Sequence, residues 1–366
     1  MQPPPGPVFN GQRLQESVSS TDSSVSSSSS SSAEDRIGHR PDRQCWTLRC
    51  SESSAEPHPR TRREGTGGAK FVQGLVQVVP EITAVVNTGD DLVWWGLHVS
   101  PDLDSISYAI AGLLSRERGW GVEGDTFHCL QAIGRLGAPT WFQLGDRDLA
   151  VHLMRTQLLA QGKTLTEATE IITRGLGITS RVLPMTDAPM ETRVMTAASE
   201  LSFQEYFVRE RWQPEVTGVR FYGAETARPA AGVLEAIHKA DAVLIAPSNP
   251  VTSIGPILAV PGIREGLKHT PAPVVAVSPI VDGAAVSGPA GKLMQSQGLP
   301  VSVEGVAGAY ADFLDVLIVD EKDAGAVSSV EPLGIRASVT NTIMKSTGDK
   351  TALAETALMA AMTPES

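Results

Sequence analysis

Downstream of residue 65 the chain alternates between two hydrophobic rhythms. Short runs such as Ile82-Thr83-Ala84-Val85-Val86 and Ala242-Val243-Leu244-Ile245-Ala246 are apolar at almost every position. A strand of that kind is covered on both faces, as in a parallel sheet. Between these runs lie longer stretches whose apolar residues recur three and four apart. Ile106, Ile110, Leu113 and Leu114 fall on one helical stripe. The pattern predicts helices over 70–79, 103–114, 146–160 and 230–239, and another starting near 164 with Thr164 or Thr166 as its N-cap. Leu149, Leu153 and Leu158 mark the predicted inner face of the 146–160 helix. Strands are predicted over 82–86, 140–144, 242–246, 274–277 and 314–319. Between 191 and 222 the texture changes, and 191–197, 203–209 and 219–222 read as short extended pieces.

Buried strands separated by helices predict an α/β fold: Rossmann-like, a mostly parallel doubly wound sheet with a small inserted β/α lobe. The expected nucleotide-binding domain covers 65–325, with the insertion at about 145–225. Residues 326–366 are expected to be partly helical. Residues 1–64 differ in kind. They run from Pro3-Pro4-Pro5 through an unbroken serine tract at 26–32 into Arg, Pro, Ser and Glu, and the first lysine of the chain is Lys70. Such a segment buries too little apolar surface to offset the entropy of ordering it, so a disordered N-terminal tail is expected, from a mis-called start or a non-functional extension.

Charge and cysteine usage narrow the partners. A formal charge of -11, with no Lys/Arg-rich block, argues against nucleic acid. Cys45, Cys50 and Cys129 make neither a disulfide framework nor a metal-ligand spacing, which suits a reducing cytoplasm. No apolar run approaches the length of a membrane span, so a soluble protein is expected.

Ligands of an open parallel sheet bind outside the carboxyl ends of its strands, and four segments lie at or near such ends. Gly65-Thr66-Gly67-Gly68-Ala69-Lys70 opens a helix, where free N–H groups and small side chains suit a phosphate. Tight packing alone would also explain those glycines, and residues 60–64 before them are no strand. Asn87-Thr88-Gly89-Asp90-Asp91 follows the 82–86 strand. Its paired carboxylates repel unless a cation such as Mg2+ relieves them, although a solvated turn has the same composition. His98-Val99-Ser100-Pro101-Asp102-Leu103-Asp104 precedes a helix. Asp102 and Asp104 either cap that helix or complete a metal cradle, and His98 reads as a hydrogen-bonding residue rather than a base. The fourth segment, 246–255, offers Ser248, Asn249, Ser253 and the N–H groups near Gly255 to a phosphate or base, with Ser278 after the next strand.

Taken in order, these segments resemble a known family. The glycine loop, Asn87-Thr88-Gly89-Asp90-Asp91, Ser100-Pro101-Asp102-Leu103-Asp104, Glu117-Arg118-Gly119-Trp120-Gly121, Leu144-Gly145-Asp146-Arg147-Asp148-Leu149-Ala150, Leu183-Pro184-Met185-Thr186-Asp187, Ala246-Pro247-Ser248-Asn249-Pro250, Ser278-Pro279-Ile280 and Gly288-Pro289-Ala290 are together similar to the 2-phospho-L-lactate and phosphoenolpyruvate transferases of coenzyme F-420 biosynthesis. The likeness covers nearly everything from Gly65 to Asp320. It implies a guanosine diphosphate donor carrying a small phosphorylated acid, the deazaflavin Fo as acceptor, release of GMP, a requirement for Mg2+, and a homodimer. It also implies that Asp90, Asp91, Asp102 and Asp104 face the metal, with Asp90 and Asp91 catalytic. Asp90, Asp91 and Glu123 would face the acceptor. Gly65, Thr66, Gly67, Gly68, Lys70, Ser248, Asn249, Ser253, Gly255 and Ser278 would hold the donor.

Two features depart from the family pattern. A hydrophobic first strand should lead into the glycine loop, and here a Ser/Arg-rich stretch takes its place, so the sheet is expected to lack that strand. Glu123 stands where some relatives would have a basic residue. A non-catalytic nucleotide-sugar-binding regulator of related fold is the alternative, but such proteins carry a serine- and glycine-rich stretch where this chain has Leu92-Val93-Trp94-Trp95. A nicotinamide dehydrogenase would need a strand before the glycine loop and an acidic residue closing the next strand.

Overall fold

The computed structural model describes the strand Cys45–Arg49 and residues 67–363. Seven strands form the main sheet: β1 (Cys45–Arg49), β2 (Ile82–Val86), β3 (Arg181–Pro184), β4 (Ala242–Ile245), β5 (Val274–Val277), β6 (Val316–Asp320) and β7 (Arg336–Thr340). Every neighbouring pair is parallel, and the order across the sheet is β3-β2-β1-β4-β5-β6-β7. Strand order reverses between β1 and β4, so a crevice opens outside their carboxyl ends. No helix among the described residues is long and apolar enough to cross a membrane.

The wholly apolar strands feed both faces of the sheet. Val243 and Ile245 of β4, Val274 and Ala276 of β5, and Leu317 and Val319 of β6 join one core. Their alternates Leu244, Val275 and Ile318 join another, with Phe71, Leu75, Leu353 and Ala357. That second core lies under helix α1 (Gly67–Val78) and the C-terminal helix Thr347–Met362. The two helices touch at Gly74, where an added Cβ would stand 2.1 Å from the Lys350 carbonyl oxygen. Each fully buried Val, Leu or Ile contributes about 1.5–3 kcal/mol, which is why nearly continuous apolar runs are a parallel sheet's signature.

Several expectations are corrected. The chain does have a strand upstream of the glycine loop: Cys45–Arg49 pairs with β2 on one side and β4 on the other. The rest of the segment read as disordered lies outside the described residues. Residues 140–144 are not a strand, because Trp141 and Phe142 pack edge-on against Trp94, at 4.6 and 6.1 Å between ring centroids, rather than entering a ladder. The 203–209 stretch is not extended either. Glu205–Arg209 is a π-helical turn that lets Phe203 stack on Phe207 at 5.5 Å, and Phe207 in turn on Trp212 at 5.0 Å. The antiparallel insertion itself is present as Glu191–Thr196 flanked by Glu200–Ser202 and Val216–Tyr222. Helix α2 (Pro101–Ile110) ends before the predicted 114, near Gly112 at φ +70°. In helix α3 (Asp146–Ala160) Leu149 and Leu158 are buried as expected, Leu153 points outward, 56% exposed, and the buried face also carries Asp148, His152 and Arg155.

Candidate active site

A short hairpin brings the acidic loops together. Strands Leu92–Trp94 and Leu97–Val99 pair antiparallel with Leu92 opposite Val99. Trp95 and Gly96, at φ 53° and 80°, make the reversal, as a two-residue hairpin loop with both central residues left-handed must. Continuing that register one step places Asp91 across from Ser100, and the Ser100 hydroxyl donates to Asp91 Oδ2 at 2.6 Å. His98 Nε2 reaches the same oxygen at 3.1 Å. A second stitch comes from Asn87, which accepts from the Gly89 N–H at 2.8 Å and donates Nδ2 to Asp102 Oδ2 at 3.1 Å. The 87–91 loop after β2 and the start of α2 are thereby one unit.

Burial pushes the Asp91 carboxyl above its ordinary range, although His98 and Ser100 work the other way. Asp91 Oδ1 is buried and accepts no hydrogen bond from the protein. Asp90 is buried too, and its backbone carbonyl accepts from Gln204 Nε2 at 3.3 Å. Asp102 is fully buried beside Asn87.

Asp104 departs from the expectation that it faces a metal with these residues. Both of its oxygens are taken by the guanidinium of Arg155, Nη1 donating to Oδ2 at 3.0 Å and Nη2 to Oδ1. His152 stands between two carboxylates, Nδ1 at 3.5 Å from Asp104 and Nε2 at 3.4 Å from Asp148. The Tyr108 hydroxyl donates to Asp148 at 2.6 Å. Burial works to raise the Asp148 carboxyl, yet His152, Tyr108 and Arg155 outweigh it and hold it low. Burial, reinforced by Asp148 and Asp104, drives the Tyr108 hydroxyl far up. Among the described residues, Asp104, Asp148 and His152 are the set of three such side chains whose ligand atoms lie within 4.8 Å of one another. Arg155 already occupies Asp104, so this set reads as an internal ion network. Sequence reasoning missed it; the available signal was the spacing of Asp148, His152 and Arg155 along one face of a helix.

The loops expected to hold the donor also converge. Gly65 and Thr66 lie outside the described residues. Gly67 opens α1, and a Cβ there would fall 2.2 Å from the Pro247 carbonyl oxygen, so the helix start abuts the loop after β4. Gly68 is buried and Lys70 partly so. In that second loop Asn249 Oδ1 accepts from the Val251 N–H at 2.9 Å, capping a π-helical turn at Pro250–Ile254. Ser248 and Ser253 are buried within it. Gly255 begins the next short helix, where an added Cβ would meet the Phe221 ring at 3.1 Å. Gly89 closes the circle: its missing Cβ would lie 2.7 Å from Thr192 Oγ1 and 3.2 Å from Pro256 Cβ. Thus the 67–70, 87–91, 100–102 and 247–256 segments meet at the switch point. Ser278 spends its hydroxyl on its own turn, donating to the Ile280 carbonyl at 3.1 Å. The Glu123 carboxylate accepts from the Arg116 N–H at 2.7 Å and closes the loop before it.

Comparison with known proteins identifies the family and the fold. The family described as 2-phospho-L-lactate transferase CofD matches residues 64–335. A 2-phospho-L-lactate transferase from Methanosarcina acetivorans is 46% identical over 293 residues, covering 80% of this chain and 95% of the relative. A phosphoenolpyruvate transferase from Streptomyces griseus is 43% identical over 302 residues, covering 80% and 95%. A solved structure of a UPF0052 family protein from Bacillus halodurans superimposes with a TM-score of 0.58 over 87% of this chain and all of its own; at 15% identity that likeness concerns the fold alone. With its glycine-opened helix, stitched aspartate loops and serine-rich turn all inside the matched span, the chain belongs to the 2-phospho-L-lactate transferase CofD family.

Proposed function

We propose that this protein transfers a small phosphorylated acid from a guanosine diphosphate donor to the primary hydroxyl of the ribityl chain of Fo. The acid is a 2-phospholactate, phosphoenolpyruvate or 3-phosphoglycerate-type group. The hydroxyl oxygen attacks the phosphorus bearing the acid, a phosphodiester forms, the bond to the guanylate oxygen breaks, and GMP leaves. The names of the relatives support the reaction class. The observation that carries the reading is the Asp91 carboxylate, with Oδ2 held by two protein donors and Oδ1 buried with none.

Phosphoryl-type transfer asks the protein for position and charge balance rather than for a covalent nucleophile. Free N–H groups at the start of α1 hold donor phosphates, since the first turn of a helix has no internal partners for them. The buried Ser248 and Ser253 and the turn capped by Asn249 hold the guanylate side. Asp91, with Asp90 beside it, accepts the ribityl hydroxyl proton as the new bond forms.

The donor set suits Mg2+. Its oxygens are hard, and Mg2+ needs only one or two carboxylates besides the substrate's phosphates. Asp90 and Asp102 would hold the ion, which when bound would neutralise phosphate charge, leaving Asp91 Oδ1 to the hydroxyl. Asp104 is already paired with Arg155, which competes with an ion for its oxygens.

The test is direct. Purified protein is incubated with Fo and each of three guanosine diphosphate-linked acids, with Mg2+ or with EDTA, and the product is weighed by mass spectrometry. One Mg2+-dependent phosphodiester of Fo, formed in step with GMP, is expected. No Fo product from any donor would refute the reading.

A further inference from the structure

Two aspartates close together in this structure are treated differently by their surroundings. Asp104 has protein donors on both oxygens. Asp91 has two donors crowded onto Oδ2 and none on the buried Oδ1. A carboxylate rotates about its last side-chain bond with little preference, so a single hydrogen bond fixes its direction poorly. Two donors arriving from different places on one oxygen fix it well. Here they come from adjoining parts of the same hairpin strand: His98 within it, Ser100 just past its end.

We propose that His98 and Ser100 are positioning residues that hold Asp91 by Oδ2 and so present Oδ1 to the reacting hydroxyl. This assignment rests on the transfer reading above. The hairpin supports it independently. The pairing of Leu92 with Val99 sets Asp91 opposite Ser100, and the backbone N–H of His98 donates to Thr156 Oγ1 on α3 at 2.8 Å. The clamp is thus anchored to a helix as well as to its own strand. The same helix presents Arg155 to Asp104, so one rigid element steadies both carboxylates by different routes.

The experiment compares wild type with His98→Ala, Ser100→Ala, the double variant, and the conservative Ser100→Thr and His98→Gln, in steady-state transfer to Fo with Mg2+ present. Each alanine variant should lose about 10-fold in kcat and the double variant about 100-fold, because a loosened reacting group costs rate in that range. The KM for the donor should stay within about 2-fold, since the donor loops are untouched; because partial unfolding also lowers apparent kcat at constant KM, rates are taken per folded molecule, counted by near-UV circular dichroism. Ser100→Thr and His98→Gln, which keep an O–H and an N–H in place, should recover most of kcat. A folded double variant with wild-type kcat overturns the assignment alone. So does a kcat loss that neither conservative variant recovers. His98 is partly exposed, so His98→Ala leaves the core intact even if Ser100→Ala does not fold. A wild type silent with every donor overturns the transfer reading and this assignment with it.

Discussion

Arg155, wholly buried on α3, grips both carboxylate oxygens of Asp104 in the first turn of α2. The pair ties two helices together, while Asp104 still lines a cavity with Tyr108, Asp148 and His152. Removing one partner strands a charge in the core. Arg155→Met should therefore cost about 3–5 kcal/mol in urea unfolding. The double variant with Asp104→Leu should regain much of that loss, since a well-packed apolar pair can replace a buried ion pair. A single-variant cost under about 1 kcal/mol would show the pair to be idle.

Asp91 should trade stability for chemistry. Its folded-state carboxyl is raised above the usual 3.8 by burial, so the native state holds that proton more tightly than the unfolded chain does. The sign follows: stability falls as pH rises from about the unfolded value through the raised one, and ionised Asp91 is a liability at neutral pH. Asp91→Asn keeps an acceptor for Ser100 and His98 while discarding the charge. In EDTA at pH 7 it should melt above wild type, with the gap closing near pH 3, and its transfer rate should drop at least about 100-fold. Melting curves from pH 3 to 8 and the Fo assay check both halves; a less stable Asp91→Asn at pH 7 would contradict the first.

Gly67 admits no side chain. A methyl group there would collide with the Pro247 carbonyl oxygen at 2.2 Å, backbone against backbone, so α1 and the loop after β4 would have to part. Gly67→Ala should lower stability by about 1–3 kcal/mol. On the proposed reading, in which the helix start and the loop after β4 hold the donor phosphates between them, it should also weaken GDP binding by more than about 10-fold in titration calorimetry. Unchanged GDP affinity would place the donor elsewhere.

The strand Cys45–Arg49 lies between β2 and β4, inside the sheet and third from one edge. Deleting residues 1–64 should leave those two strands without their shared partner, and the remainder should be insoluble or molten by near-UV circular dichroism. A folded, active chain starting at Gly65 would show that the sheet closes without β1.

Much of the candidate site was legible one loop at a time. Asp90, Asp91 and Asp102 stand out because carboxylates after a buried strand need relief, and Gly67 because glycine before a helix invites a close approach. Asp104 looked equivalent to them, for nothing in Asp102-Leu103-Asp104 reveals that a guanidinium 51 residues later will claim one of the two. Serines at strand ends looked alike as well, yet Ser278 closes its own turn while Ser248 lines the loop that meets α1.

By itself the sequence determined the alternation of buried strands and amphipathic helices, a capped helix start at Thr164 or Thr166, of which the structure uses Thr164, and the loops that carry polar chemistry, because each depends on neighbours within a few residues. Tertiary structure decided the rest. That includes which of two nearby aspartates pairs with Arg155, that a weakly apolar Cys45–Arg49 becomes an interior strand, and that 140–144 fills an aromatic cluster instead of a ladder. Those outcomes turn on partners far along the chain, and period and composition carry no information about which distant group will arrive.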